Sequence, residues 1–234
     1  MPTRHPSVPL PKKQKIFLFL GPQGAGKGTQ AELLAARLDI PALSTGALYR
    51  HEIEEKTRLG RLVESEVKKG LLVQDEITNA LIAWRLRQED VRKGVVLDGY
   101  PRTLAQTEAL EYINSPVAVV AVTVSDAVAV QRISGRRICG KCNAHYHTIF
   151  RPPHEVGICD RCRGVLHQRP DDTPTAVKKR LMVYHENTEP ILAMYDKLGK
   201  LIEVDGGQSV DDVAAKVWVA VRPYLTKKHP HGHH

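Results

Sequence analysis

Ile16-Phe17-Leu18-Phe19-Leu20-Gly21-Pro22-Gln23-Gly24-Ala25-Gly26-Lys27-Gly28-Thr29 is the stretch that decides the fold. Five apolar residues read as a buried strand. A turn with four glycines in eight residues follows. Then Gln30-Ala31-Glu32-Leu33-Leu34-Ala35-Ala36-Arg37-Leu38 repeats apolar residues at helical spacing. Strand, glycine-rich turn and helix in that order make a phosphate cradle, because free backbone N–H groups and the helix dipole both favour an anion there. A lysine at that point reaches the outer phosphates, and a hydroxyl can reach a magnesium ion. The strict pattern G-x-x-x-x-G-K-[ST] is met from Gly21 to Lys27 and missed at position 28. Glycine stands there, and the hydroxyl comes one residue later, at Thr29. The bland alternative is a glycine-rich β–α turn without a ligand. So many glycines weaken a turn unless something must approach its backbone closely. By itself the loop says only that a nucleoside triphosphate or a similar anion binds.

The remaining strand candidates are 40–43, 94–98, 117–124 and 201–204, beside 16–20. All are short continuous apolar runs, which suggests strands buried on both faces. Helical patterns cover Asp75–Gln88, Leu104–Ile113, Asp126–Arg136, Thr173–His185, Thr188–Leu198 and Val210–Val221. This alternation predicts an α/β fold with a five-stranded parallel sheet flanked by helices, and a ligand at the C-terminal strand ends. Two stretches break the rhythm and read as insertions. One is 44–73, the other 135–170. The core is then 16–43, 74–134 and 171–225, with loose tails at 1–15 and 226–234. The terminal histidines are excluded from the site.

With 234 residues, 42% of them hydrophobic and 26% charged, the chain has the composition of a globular protein large enough to bury a core without disulfides. No apolar run is long enough for a membrane span, and no secretory signal pattern opens the chain. A cytoplasmic protein without membrane partners is expected. The net charge of +8 admits nucleic-acid binding, or a site that holds several phosphates. Aromatic residues are only 5%, too few for base-stacking platforms, which favours the phosphate reading and no nucleic-acid partner.

All four cysteines fall together, as Cys139-Gly140-Lys141-Cys142 and Cys159-Asp160-Arg161-Cys162. Two C-x₂-C pairs at this separation point to a tetrahedral four-thiolate metal site, zinc by default and structural because no position is left open. A disulfide reading is weaker, since nothing suggests secretion. A redox motif would need one C-x-x-C pair rather than two. A zinc ribbon that binds nucleic acid stays open, given Lys141, Arg161 and Arg163.

Val95-Val96-Leu97-Asp98-Gly99 is a buried strand that ends in an acid, the position that holds magnesium in a phosphate-loop protein. The alternative is an aspartate that merely caps the next turn. Tyr100-Pro101-Arg102-Thr103 follows directly. Arg50, Arg132, Arg136, Arg137, Arg169 and Arg180 recur at the edges of the two insertions. Phosphoryl transfer needs such donors, because its catalysis is mostly positioning and charge stabilisation. Arginine binds phosphate oxygens through a planar fork and keeps its charge.

These residues resemble those of the adenylate kinases, in the bacterial form with a long zinc-bearing lid. The resemblance spans about residues 15–222. It rests on Gly21–Gln30 with its Gly-Lys-Gly-Thr order, Ser44-Thr45-Gly46, Leu97–Thr103, Gly135-Arg136-Arg137, the four cysteines and Arg169-Pro170-Asp171-Asp172. It implies reversible transfer of the terminal phosphoryl of MgATP to AMP, giving two ADP, with Mg²⁺ and a structural Zn²⁺, in a monomer. Gly24, Ala25, Gly26, Lys27, Gly28, Thr29, Arg132 and Arg136 would bind ATP. Thr45, Arg50, Val73, Gly99, Arg102, Gln106, Arg169 and Arg180 would bind AMP. Thr29 and Asp98 would hold magnesium, Asp98 through water. Lys27, Arg136, Arg169 and Arg180 would be catalytic. Cys139, Cys142, Cys159 and Cys162 would bind zinc. Residues 44–73 would be the AMP flap, and 135–170 the lid over ATP. The sequence departs from the family at Pro22-Gln23, where proline commonly occupies 23, and at Ala47, Leu71 and Tyr100. The nearest rival is another nucleoside monophosphate kinase, such as a UMP/CMP kinase. Those usually have short lids without cysteines.

Overall fold

The computed structural model describes residues 14–142, 144–169 and 172–226. Pro170, Asp171 and nearly all of both expected tails lie outside the described residues.

Five parallel strands form the central sheet. They are β1 (Lys15–Leu20), β2 (Ala42–Ser44), β3 (Gly94–Asp98), β4 (Ala118–Thr123) and β8 (Leu201–Asp205), in the order β2-β3-β1-β4-β8. The continuous apolar runs are explained by the strand period of two. Phe17, Phe19, Val96, Val120 and Val122 pack on one face, against Ala31, Leu34, Val213 and Val217. Those partners come from α1 (Lys27–Leu38) and α9 (Val210–Thr226). Ile16, Leu18, Leu20, Val95, Leu97 and Val119 pack on the other face, against Ile82, Leu110, Ile191 and Tyr195. Those belong to α4 (Asp75–Arg85), α5 (Leu104–Ile113) and α8 (Glu189–Lys197). Every β1 residue from Ile16 to Leu20 is 2% exposed or less, so polar residues at alternate positions would cost burial on one layer or the other.

The first helix starts at Lys27, three residues before its apolar pattern. The earlier turn packs no apolar side chain, so periodicity gives no sign of it. The patterns at Thr173–His185 and Thr188–Leu198 are α7 (Pro174–Val183) and α8, joined by a π-helical turn at Tyr184–Thr188. Pro190 lies in the first turn of α8, directly after that π-helical turn.

Residues 44–73 carry α2 (Thr45–Glu54) and α3 (Arg58–Lys69), with a small core of Tyr49, Val63 and Val73. Gly60 lets the two helices meet: a Cβ there would lie 2.0 Å from the Glu52 carbonyl oxygen. α6 (Asp126–Ser134) leads into 135–170, which holds three short antiparallel strands. These are β5 (Arg136–Cys139), β6 (His145–His147) and β7 (Leu166–His167), with β5 in the centre. The sequence names no strand here, because strands of 4, 3 and 2 residues are too short to show a period. Among the described residues no helix is long and apolar enough to cross a membrane.

Candidate active site

The turn from Gly21 to Gly26 joins β1 to α1 at the C-terminal edge of the sheet. Gly21 has φ 137°, and a Cβ on it would fall 2.1 Å from the Val122 carbonyl oxygen. Only glycine lets the loop pass the adjacent strand. Gly26 precedes α1 with φ 95°, and a Cβ there would meet nothing within 4 Å. It provides no side-chain cap. By contrast, Thr57, Thr103, Ser125 and Thr173 each cap their own helices with a side-chain oxygen. The first turn of α1, Lys27-Gly28-Thr29, therefore offers its N–H groups to whatever occupies the loop. Ala25 is buried, and Thr29 is exposed beside the loop.

Lys27 Nζ donates to the Pro22 carbonyl at 2.8 Å. Burial is the largest cause that lowers its pKa to about 8 from the usual 10.5; Asp98 opposes it, and Arg102 and Arg136 add to it. Asp98 ends β3 facing the loop, and a Cβ on Gly28 would lie 3.4 Å from its Oδ2. Any side chain at 28 longer than alanine's would crowd that carboxylate. Glycine at 28 thus keeps open the space where a hydrated cation between loop and acid would sit, and a hard oxygen ligand suits magnesium.

All eight residues expected around the acceptor nucleotide line a single cavity: Thr45, Arg50, Val73, Gly99, Arg102, Gln106, Arg169 and Arg180. Gly99 has φ 77°, a backbone conformation that side chains rarely adopt, and a Cβ on it would fall 2.7 Å from the Arg102 guanidinium. Arg102 Nε donates to the Gly99 carbonyl at 2.7 Å, and Thr45 Oγ1 donates to the same oxygen at 2.7 Å. Burial lowers the Arg102 pKa, and the nearby Asp98 opposes that shift. Gln106 is 2% exposed. Its Oε1 accepts from the Arg102 N–H at 2.7 Å, and its Nε2 donates to Asp75 at 2.7 Å. Tyr100 is fully buried, and its hydroxyl lies 2.8 Å from Asn79 Oδ1 and 3.1 Å from the Gln106 carbonyl. Of the departures from the family pattern, Leu71 and Gln23 line the cavity, and Ala47 does not.

Arg132 and Arg136 approach from the 135–170 side. Arg132 Nη1 lies 3.5 Å from the Gly24 carbonyl, and its guanidinium stands 5.8 Å over the Phe150 ring. Arg136 donates through Nε to Asp172 at 2.8 Å and through Nη2 to the other carboxylate oxygen. Asp172 is wholly buried, and Arg180 Nη1 lies 3.9 Å from its Oδ1. Arg137 turns back to the Ser134 and Arg136 carbonyls. Sequence reasoning quoted Asp172 within a motif but gave it no role; its place after the arginine-flanked insertion was the available signal. Asp75, Asn79 and Gln23 were also missed. Their partners are 21 to 157 residues away in the chain.

In the small sheet, Cys139 and Cys162 bring their sulfurs to 3.4 Å, and Cys142 and Cys159 to 3.5 Å. All four lie within 4.8 Å of one another, and none is in a disulfide. A tetrahedral zinc with Zn–S near 2.3 Å needs sulfur separations of about 3.8 Å. The set fits that geometry. The Lys141 N–H donates to Cys139 Sγ at 3.4 Å, and the Tyr146 hydroxyl lies 3.4 Å from Cys159 Sγ. The same hydroxyl oxygen accepts from the Asp160 N–H at 2.8 Å, which leaves its proton for the sulfur. Gly164 leaves room for the cluster, since a Cβ would stand 2.9 Å from Cys139 Sγ.

A family model described as adenylate kinase matches residues 19–200. An adenylate kinase of Methanocella arvoryzae is 44% identical over 211 residues, covering 88% of this chain and 98% of its own. One of Symbiobacterium thermophilum is 45% identical with the same coverage. One of Thermosipho melanesiensis is 46% identical, covering 88% of this chain and 99% of its own.

Proposed function

The chain belongs to the adenylate kinase family, and from that membership we propose that it transfers the terminal phosphoryl of MgATP directly to AMP, reversibly, giving two ADP. The observation that carries the reading is the single cavity where Arg50, Arg102, Arg169 and Arg180 converge beside the bare N-terminus of α1. Donors on two sides of one space suit two phosphate groups held face to face.

In this reading Gly24–Thr29 cradles the ATP phosphates, with Lys27 on the outer ones and Arg132 beside the adenine. Arg50 and Arg102 hold the AMP phosphate. Thr45 and Gln106, with Val73 and Gly99, form the acceptor base region. An AMP phosphate oxygen attacks the terminal phosphorus in line, and the bond to the bridging oxygen of the departing ADP breaks. No proton need move and no side-chain nucleophile is required. Lys27, Arg136, Arg169 and Arg180 stabilise the charge as it passes between the nucleotides. Thr29 and Asp98 would hold Mg²⁺, Asp98 through water; when bound, the ion draws charge from the phosphate oxygens. The four cysteines would hold one structural Zn²⁺. Residues 135–170 would close over ATP and exclude water, so that ATP is not simply hydrolysed. Four cysteines gathered without a disulfide suit a reducing compartment, the cytoplasm.

The test is ADP formation from ATP with AMP, CMP, UMP, GMP or dTMP as acceptor. AMP should give the fastest turnover by far. Faster turnover with any other acceptor would overturn the assignment.

A further inference from the structure

Gln23 sits on the phosphate loop, yet its side chain serves the acceptor side. Its Oε1 accepts from Arg180 Nη1 at 3.1 Å, across 157 residues of chain. It lines the same cavity as Arg102, Arg169 and Arg180. We infer that Gln23 is a positioning residue that orients the Arg180 guanidinium at the junction of the phosphate loop and the acceptor cavity. The inference rests on the phosphotransfer reading above.

Contacts from at least three parts of the molecule hold Arg180. Asp172, at the root of the small sheet, lies 3.9 Å from Nη1. Gly70, at the end of α3, comes so close that a Cβ there would be 2.9 Å from Nε. Gln23 supplies the contact from the loop. The side chain is only 11% exposed, so protein neighbours, these among them, set its orientation rather than water. The chemistry of the Gln23 contact matters. Asp172 is already bonded by two guanidinium nitrogens of Arg136. A carboxylate at position 23 would offset part of the charge that the moving phosphoryl group requires. A side-chain amide fixes the direction of one N–H and leaves the charge intact. Proline, which the family resemblance implies is common at this position, has no such acceptor, so the contact depends on the glutamine found here.

The experiment compares kcat, KM for each nucleotide and melting temperature in the wild type, Gln23→Ala, Gln23→Glu, Arg180→Lys and the double variant Gln23→Ala/Arg180→Lys. Gln23→Ala should lower kcat about tenfold, the usual size of a lost bond to a charged group, with KM for ATP and melting temperature unchanged. Gln23→Glu keeps the shape and the acceptor but adds a negative charge, so its kcat should fall several-fold further. In the Arg180→Lys background, Gln23→Ala should cost less than about twofold, because the two residues act as one unit. Three results would overturn the proposal: wild-type kcat in Gln23→Ala, a Gln23→Glu as active as wild type, or an equal loss with and without Arg180. If the wild-type protein makes no ADP from ATP and AMP, it is the phosphotransfer reading that fails, whatever position 23 does.

Discussion

Lys27 is protonated at neutral pH at a cost to the fold. It sits at the start of α1 within electrostatic reach of Asp98, Arg102 and Arg136. Burial takes its pKa to about 8, against 10.5. Between those values the unfolded chain binds more protons than the folded one, so stability rises with pH across that window. Below about pH 8 both states carry the charge and the penalty is complete. Lys27→Met should therefore be more stable than wild type at pH 7, by about 1–3 kcal/mol once partial exposure is allowed for. That advantage should shrink as pH rises above 8. The same variant should lose phosphotransfer by about a thousandfold, because a donor to the moving phosphoryl is gone. Urea unfolding at pH 7 and pH 9.5, with coupled assays, measures both. A less stable Lys27→Met would mean that the bond from Nζ to the Pro22 carbonyl outweighs burial. The gain in stability with loss of activity is what a site built for an absent polyanion should give.

At the scale of elements, the small sheet depends on its cysteines. Its buried cluster is Cys139, Ala144, Tyr146, Cys159 and Leu166, which includes two of the four thiols and one large aliphatic side chain. So small a core cannot offset the ordering of some thirty residues, whereas a four-thiolate zinc contributes roughly 10–16 kcal/mol of apparent binding in small peptides. One zinc per chain should be found by elemental analysis. Its removal by a chelator should lower the melting temperature more than it lowers turnover in the cold. Hydrogen exchange should speed up in β5–β7 and stay slow in β1 and β4. A metal-free preparation with unchanged melting temperature would rule out the structural role. This element also marks where sequence reading stops. β1 and β3 were legible almost to the residue, because strands buried on both faces must be apolar throughout. The cysteine set was legible because its ligand spacing is local. The sheet around it was not, since its strands are shorter than any period. The first turn of α1 was missed because Lys27-Gly28-Thr29 contributes no apolar side chain to the helical period. The arginines could be named from motifs, but not the partners that aim them. Asp172 pairs with Arg136 across 36 residues, and Gln23 with Arg180 across 157.

The charge of the whole molecule belongs to the same argument. Lys27, Arg50, Arg102, Arg136, Arg169 and Arg180 contribute to the net +8 and gather around one cleft, with acids that include Asp98 and Asp172 set among them. A concave site lined by one sign of charge focuses the field and raises the encounter rate of anions. Both nucleotides are anions, so salt should act on their capture and much less on the chemistry. Within the closed complex the charges are close and shielded from bulk ions, and screening over about 8–10 Å at physiological salt reaches mainly the approach. The expected outcome is that kcat/KM for ATP and for AMP falls several-fold between about 20 mM and about 300 mM salt, while kcat changes less than about twofold. Steady-state kinetics across a salt series, at fixed free magnesium, measures it. A flat kcat/KM would mean that the arginines act only after docking. A kcat that falls in parallel would mean that bulk ions reach the reacting phosphates, and that the 135–170 segment does not seal the site. Either result locates the function of the positive charge, in the approach of the nucleotides or in the transfer between them.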